Sequence, residues 1–262
     1  MAALTPSIRF FESQLVEYKR TWRSSVFSSF GNPVMFLAAM GLGLGRLVDS
    51  GTGDLEVPYL AFVATGLLAA GAMQSGAGEG LWRVMAGVKW RKNFHGAITT
   101  PVSPADIVVG RAIYVLLRTI AVTFIFAVVA WLFGALELGP GLLAVVPAAI
   151  TGVCFAMALT AFTVTQETDE NLASVFRFVI LPLFLFSGTF FPVSQLPGFL
   201  QPVAWATPLF HGVELCRKVA LPDVGGDLVS AVPAWVHLVY LVVVTGISMF
   251  LAARLLDRRL RP

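Results

Sequence analysis

The sequence predicts an all-α integral membrane protein with six transmembrane helices, and three observations carry that expectation. The first is composition. Of the 262 residues 57% are hydrophobic and only 13% charged, with a mean hydropathy of +0.81, whereas soluble chains average about 25% charged residues. The second is segmentation: apolar runs near the roughly 20 residues that a span requires recur over 26–47, 59–81, 107–133, 142–164, 172–191 and 232–253. The third is punctuation. Short polar or proline-rich links separate the runs and leave no room for a soluble domain, so residues 1–262 read as one transmembrane domain. The net charge of +3 and pI near 9.1 would point to nucleic acid in a soluble chain. Here the basic residues gather at span ends and read as membrane orientation, so no nucleic-acid partner is expected.

In the N-terminal segment Ile8, Phe11, Leu15, Tyr18 and Trp22 recur at spacings of three and four among charged residues. That pattern predicts an amphipathic interface helix over 8–22, which either holds a partner or anchors the chain. No cleaved signal peptide is expected, because no continuous apolar run precedes the first charges. Span 1, Val26–Leu47, is interrupted at Asn32–Pro33, and its Gly41 and Gly45 suit close helix packing. The polar run Asp49–Glu56 then makes an outer loop. Span 2 is rich in small residues, with Gly66, Gly71, Gly76, Gly78 and Gly80, and its Glu79 lies one turn from Arg83, close enough to pair.

The link Trp82–Asp106 carries Arg83, Lys89, Arg91 and Lys92 and ends in a helix start at Ser103. A short helix there, with Val88, Trp90 and Phe94 amid cations, offers apolar anchors inside a charged rim, which suits a groove on a partner. The alternative is a loop that is positive only for orientation. Span 3 bears Arg111 and Arg118, seven residues apart on one face. Arg111 is placed to snorkel to the surface. Arg118 lies deeper, as a functional charge or as a structural partner of Glu79. In span 4, Thr151, Thr160, Thr163 and Thr165 read as interhelical hydrogen-bonding residues.

The acidic link Gln166–Asn171 starts span 5 at Thr168 or Asp169. Beyond span 5, Pro192, Pro197, Pro202 and Pro208 forbid a continuous helix, yet Leu196, Phe199, Leu200, Val203, Trp205, Leu209 and Phe210 keep the segment apolar. Short helical pieces at or dipping into a membrane face are expected, because uncovered irregular backbone is not tolerated at membrane depth. Cys154 and Cys216 have no disulfide or metal spacing and read as buried thiols.

Six spans place both termini on one side. That side would carry Arg9, Lys19, Arg20, Arg23, Arg83, Lys89, Arg91, Lys92, Arg254, Arg258, Arg259 and Arg261, against Arg46, Arg217 and Lys218 on the other. The excess of lysine and arginine makes the termini cytoplasmic. Sequence patterns for a Walker A loop, HExxH, CxxC and GxSxG are all missing. His95, His211 and His237 fall at different predicted sides or depths, which speaks against a metal site or a catalytic dyad.

The run SGTFFPVSQLPGFLQPVAWATPLFHGVELCR, within Phe186–Lys218, resembles the signature region of ABC-2 type transporter permeases, in the branch of daunorubicin-resistance and nodulation permeases that handles drugs and lipo-oligosaccharides. Chain length and span order match over essentially the whole sequence. The resemblance implies a non-catalytic membrane subunit of an exporter, binding no cofactor itself. ATP and Mg would sit on a separate ATP-binding-cassette ATPase, two copies of which would serve a homodimer or a pair of similar permeases. It implies that Lys89, Trp90, Arg91, Lys92 and Phe94 form the region coupled to that ATPase. It further implies that spans 2 and 5 face the substrate path, with Thr65, Met73, Phe184, Phe186, Phe190 and Phe191 as candidate lining residues; Glu79, Arg111 and Arg118 are candidate intramembrane polar groups by their own position in or near spans. The competing readings are a membrane enzyme acting on a lipid-linked substrate, which would need convergent acid and base residues, and an ion-coupled carrier, which would need repeats and intramembrane carboxylates.

Overall fold

Continuous apolar runs become helices because a chain in hydrocarbon must satisfy every backbone polar group within the segment. The computed structural model describes residues 5–39, 43, 57–222 and 229–261, and every regular element among them is helical. The elements are α1 (Thr5–Ala38), α2 (Tyr59–Trp90), α3 (Asn93–Ile98), α4 (Pro104–Leu132), α5 (Leu138–Val164), α6 (170–186), α7 (Gln201–Trp205), α8 (Pro208–Ala220) and α9 (Ala234–Leu260). Four of them, α2, α4, α5 and α9, are long and apolar enough to cross a membrane.

Several predicted boundaries shift. The interface helix and the start of span 1 form one 34-residue helix that runs through Asn32–Pro33, about 51 Å at 1.5 Å per residue. The expected Asp49–Glu56 loop, Gly41 and Gly45 lie outside the described residues. Span 2 does not stop near Leu81; α2 continues through π-helical stretches at Glu79–Arg83 and Ala86–Trp90. It ends where Lys92 adopts a left-handed backbone, φ 53°. Val88 and Trp90 therefore belong to the end of a long helix, and Phe94 to the separate short α3. Helix α6 closes at Phe186, five residues before the expected end of span 5, because Gly188 takes φ +85° and turns the chain. Phe190 and Phe191 lie in that turn.

Helices α2 and α5 occupy the centre, and small residues let them approach. A Cβ added at Gly76 would meet the backbone of Gly152, and one at Gly80 would meet Ala156. These two contacts, four residues apart on each helix, form a small-residue seam. The N-terminus of α4 is fixed by a capping box, with Asp106 N donating to Ser103 Oγ at 3.2 Å and Ser103 N donating to Asp106 Oδ2 at 3.0 Å. Along α4 lies α1. Ser7 Oγ donates to Asp106 Oδ1 at 2.6 Å, and Gly110 leaves no side chain where a Cβ would sit 2.7 Å from Ser7 O.

The proline-broken segment does not stay outside the bundle. Helix α8, started by Thr207 Oγ1 accepting from Phe210 N, buries Leu209, Val213 and Cys216 fully against the core that α2 and α5 share. Cys154 and Cys216 are both buried free thiols. The outward faces of α4 (Leu116, Leu117, Ile120, Phe124) and α9 (Val239, Val242, Val243, Ile247) are exposed and apolar, as lipid-facing or partner-facing helices must be.

Candidate functional site: a charge network at one end of the bundle

The far end of α2 gathers most of the charged side chains that the sequence placed near spans. Glu79, only 2% exposed, receives a hydrogen bond from Arg118 Nη1 and stands 3.7 Å from Arg111 Nη2 and 3.8 Å from Arg83 Nε. Arg111 also donates to the Glu79 carbonyl at 2.7 Å. That carbonyl begins one of the π-helical stretches, where the ladder is widened. The pairings of Glu79 with Arg83 and with Arg118 agree with the sequence reading. Arg111 does not snorkel: it is 2% exposed, lies against the Phe94 ring and reaches Gln14 Oε1 of α1 at 3.4 Å. Its aliphatic stem is too tightly enclosed by α1 and α3 to reach solvent.

The network extends outward through α1. Glu17 accepts from Arg83 at 3.0 Å and also from Arg91, so one carboxylate of α1 joins α2 and the residue that caps its end. On the other flank Lys89 donates to the Glu167 carbonyl, and Glu167 forms a two-point pair with Arg259 near the end of α9, Arg259 Nη2 to Glu167 Oε2 being 2.9 Å. The hydrogen bond from Arg259 holds the Glu167 carboxyl below the usual carboxylate range. Its charge therefore persists as pH falls past the point where an ordinary glutamate protonates, and the pair is lost only below that.

The five residues expected to meet a partner separate into two groups. Trp90 is 52% exposed, and Lys89, Arg91 and Lys92 are exposed around it. Phe94 is 1% exposed, packed over Gly87 and edge-on to Phe10 at 5.8 Å. It is a core residue of α3, and the expectation that it projects outward is corrected: the absence of a side chain at Gly87 opens the slot into which it turns. Beside it α1, α3 and the turn 100–102 enclose a cleft of about 660 Å³, lined by Arg9, Phe10, Gln14, Asn93, Ala97 and Val102.

The candidate path residues do not share one surface of the single chain. Thr65 and Met73 are fully buried, with Thr65 Oγ1 donating to Phe62 O at 2.8 Å. Phe184 packs against Phe36 and Phe190, whereas Phe186 is 44% exposed; Phe191 packs with Val193 and Leu196.

Three polar groupings escaped the sequence reading. Glu17 and Glu167 were not recognised as partners of the arginines, because each lies more than sixty residues away along the chain. Arg217, assigned to the surface, is 2% exposed, donates to Gly188 O, pairs with Glu214 at 3.7 Å and lies 3.7 Å from the Phe62 ring centroid. His211 and His237, expected at different depths, meet with Nδ1 atoms 2.8 Å apart. Among the described residues no three His, Cys, Asp or Glu side chains are placed to hold a metal ion. The geometry at the α2 end is that of a charge clamp: Glu79 and Glu17 tie α1, α2 and α4 together, and Glu167 ties α2 and α9 through the link after α5.

Comparison with known proteins agrees with this architecture. The family described as ABC-2 type transporter matches residues 9–221. The chain is 29% identical over 245 residues to Nodulation protein J of Rhizobium meliloti (strain 1021), covering 94% of this chain and 90% of that protein. It is 28% identical over 243 residues to Nodulation protein J of Sinorhizobium fredii, covering 93% and 89%. It is 26% identical over 190 residues to the Inner membrane transport permease YadH of Escherichia coli (strain K12), covering 68% and 70%. With four membrane-length apolar helices among the described residues, a small-residue core and a match over most of its length, the chain belongs to the ABC-2 type transporter family.

Proposed function

We propose that this chain is the membrane-spanning permease subunit of an ATP-driven exporter that moves an amphipathic drug, lipid or glycolipid out across the cytoplasmic membrane. The observation that carries the reading is the charge clamp, which ends in an exposed Trp90 ringed by Lys89, Arg91 and Lys92. Exposed aromatic residues within a charged rim are the usual anchors of a protein interface. The occupant on this reading is a separate ATP-binding-cassette ATPase, two copies binding two permease chains about a two-fold axis. The charge excess at this end makes it cytoplasmic, with both termini on the same side.

Closure of the ATPase pair on ATP would press on the end of α2. Because Arg91 and Arg83 share Glu17, and Lys89 reaches the link clamped to Arg259, a displacement of Trp90 is passed to α1 and α9 together. Two packings that bind the ATPase differently are what coupling requires. The path itself forms between chains: the exposed face of α6 (Phe178, Leu181, Leu185, Phe186) supplies an apolar wall suited to an amphipathic substrate.

Transport in everted membrane vesicles tests the reading. Vesicles holding the permease and its co-expressed ATPase should accumulate daunorubicin or a fluorescent glycolipid on adding ATP, and vesicles lacking either subunit should not. Uptake of both probes that is indifferent to ATP and to the ATPase would refute it.

A further inference from the structure

The opposite end of the bundle holds a titratable pair that the charge clamp and the coupling reading leave unused. His211 lies in the first turn of α8, and His237 in the first turn of α9. From His237 to Arg259, α9 spans about 33 Å at 1.5 Å per residue, one bilayer core away from the clamp. The two rings face each other through Nδ1 atoms at 2.8 Å. A hydrogen bond between two imidazole nitrogens needs one to carry the proton and the other to offer a lone pair. The contact therefore exists with a single proton between the facing atoms and is forbidden when both rings are protonated.

The surroundings make the contact structural. His237 is fully buried and its Nε2 lies 3.1 Å from Ser230 Oγ, in the connector that leads into α9. His211 stacks on Tyr240 at 3.8 Å and 19°, and both rings meet Phe210 edge-on. Tyr240 in turn donates to Ala206 O at 2.6 Å, tying α9 to the turn between α7 and α8. Among the described residues the charged neighbours are already engaged. Glu214 of α8 accepts from Ser230 N at 2.6 Å and pairs with Arg217, and Lys218 of α8 donates to Ser230 O at 2.7 Å. Cys154 of α5 faces Tyr240 as a buried thiol. Among the described residues the carboxylate that favours a charged His211, Glu214, is thus already held by Ser230 N and Arg217.

We propose that the His211–His237 contact is a proton-operated latch, which fastens α8 and the connector 229–233 to the last span while one proton is shared and releases them when both rings are protonated. Burial, and then the like charge that a protonated His237 would present, push the His211 imidazole down to about 4. A histidine whose folded value is depressed contributes stability above its ordinary value near 6.5 and loses it as pH falls toward the folded value. The latch is therefore shut at neutral pH and opens on acidification of the medium on its own side of the membrane. Nothing in this depends on what the protein carries.

Two measurements on the full chain in lipid nanodiscs test the latch. The first is ¹⁵N NMR of histidine-labelled protein, which has only three histidines, with His211→Gln and His237→Gln spectra used for assignment. At pH 7.5 the two rings should show opposite tautomers. At pH 5.5, where an ordinary histidine is about nine-tenths protonated, His211 should remain neutral. Identical tautomers, or two independent titrations near 6.5, would overturn the proposal without any variant having to fold perfectly. The second measurement is alkylation of a cysteine introduced at half-buried Val229, expressed as a ratio to one at exposed Ala231. The ratio should rise roughly tenfold or more between pH 7 and pH 4, tenfold being what one pH unit of proton linkage supplies. In His237→Gln it should be flat with pH. A flat ratio in the otherwise unaltered chain would show that the pair titrates without opening anything.

Discussion

At the scale of single residues, Glu79 is the natural place to perturb. Glu79→Gln keeps the shape but removes the carboxylate that faces Arg83, Arg111 and Arg118, leaving a fully buried Arg111 beside uncompensated cations. Breaking a buried pair in this way costs about 3–5 kcal/mol, so the thermal midpoint in detergent should fall by many degrees. Arg118→Met should cost less, because Glu79 keeps two partners and Arg118 is partly exposed. Equal midpoints for Glu79→Gln and the parent chain would mean that the network is decorative. Phe94→Ala makes a second residue-scale test: it empties a core slot and should destabilise by about 3–5 kcal/mol, whereas Trp90→Ala, on the surface, should leave the midpoint unchanged. The Glu79 pairings were legible in the sequence because helical spacing and the cost of an intramembrane charge point to them. The burial of Arg111 and Phe94 was not, because it depends on α1 lying against α3 and α4, a contact between Gln14 and Arg111 that spans 97 positions.

At the scale of elements, the glycines of α2 separate into two kinds that spacing alone does not distinguish. Gly76 faces Gly152 across the seam, and a Cβ there collides with backbone that cannot yield; Gly78 faces open space. Gly76→Ala should force α2 and α5 apart and destabilise by about 1–3 kcal/mol, the usual cost of overpacking. Gly78→Ala should be neutral or slightly stabilising, because alanine is the better helix former. Comparing the two thermal midpoints checks the seam directly, and equal effects would contradict it. Hydropathy located α2, α4, α5 and α9, and the Ser103 cap was readable from Ser and Asp at capping-box spacing. Helix ends were less legible. Pro33 read as a break although α1 runs through it, since a proline removes one ladder bond without dictating that a helix end. The end of α6 was set by the backbone of Gly188, and the end of α2 by a left-handed Lys92. Neither conformation has a signal in hydrophobic periodicity.

At the scale of the whole molecule, the single chain buries Thr65 and Met73 while leaving apolar faces on α4, α6 and α9, the pattern of a subunit that completes itself in lipid or against a second copy. The apolar segmentation made the membrane class plain from composition. The gathering of basic residues on one side was legible in the sequence, but the carboxylates that bind them became visible only when α1, α2, α4 and α9 were brought together, since Glu17 and Glu167 owe their partners to tertiary packing. On the function proposed above, this charged end receives an ATP-hydrolysing partner through Trp90. That docking is tested most directly by the native mass of the complex recovered when the tagged permease is co-expressed with an ATP-binding-cassette ATPase, with and without Trp90→Ala. The parent chain should yield two copies of each subunit. The ATPase should be largely lost from Trp90→Ala, at a cost of about 2 kcal/mol or more for removing a central aromatic anchor, while the permease stays inserted and folded. Recovery of the same complex from both chains would contradict it.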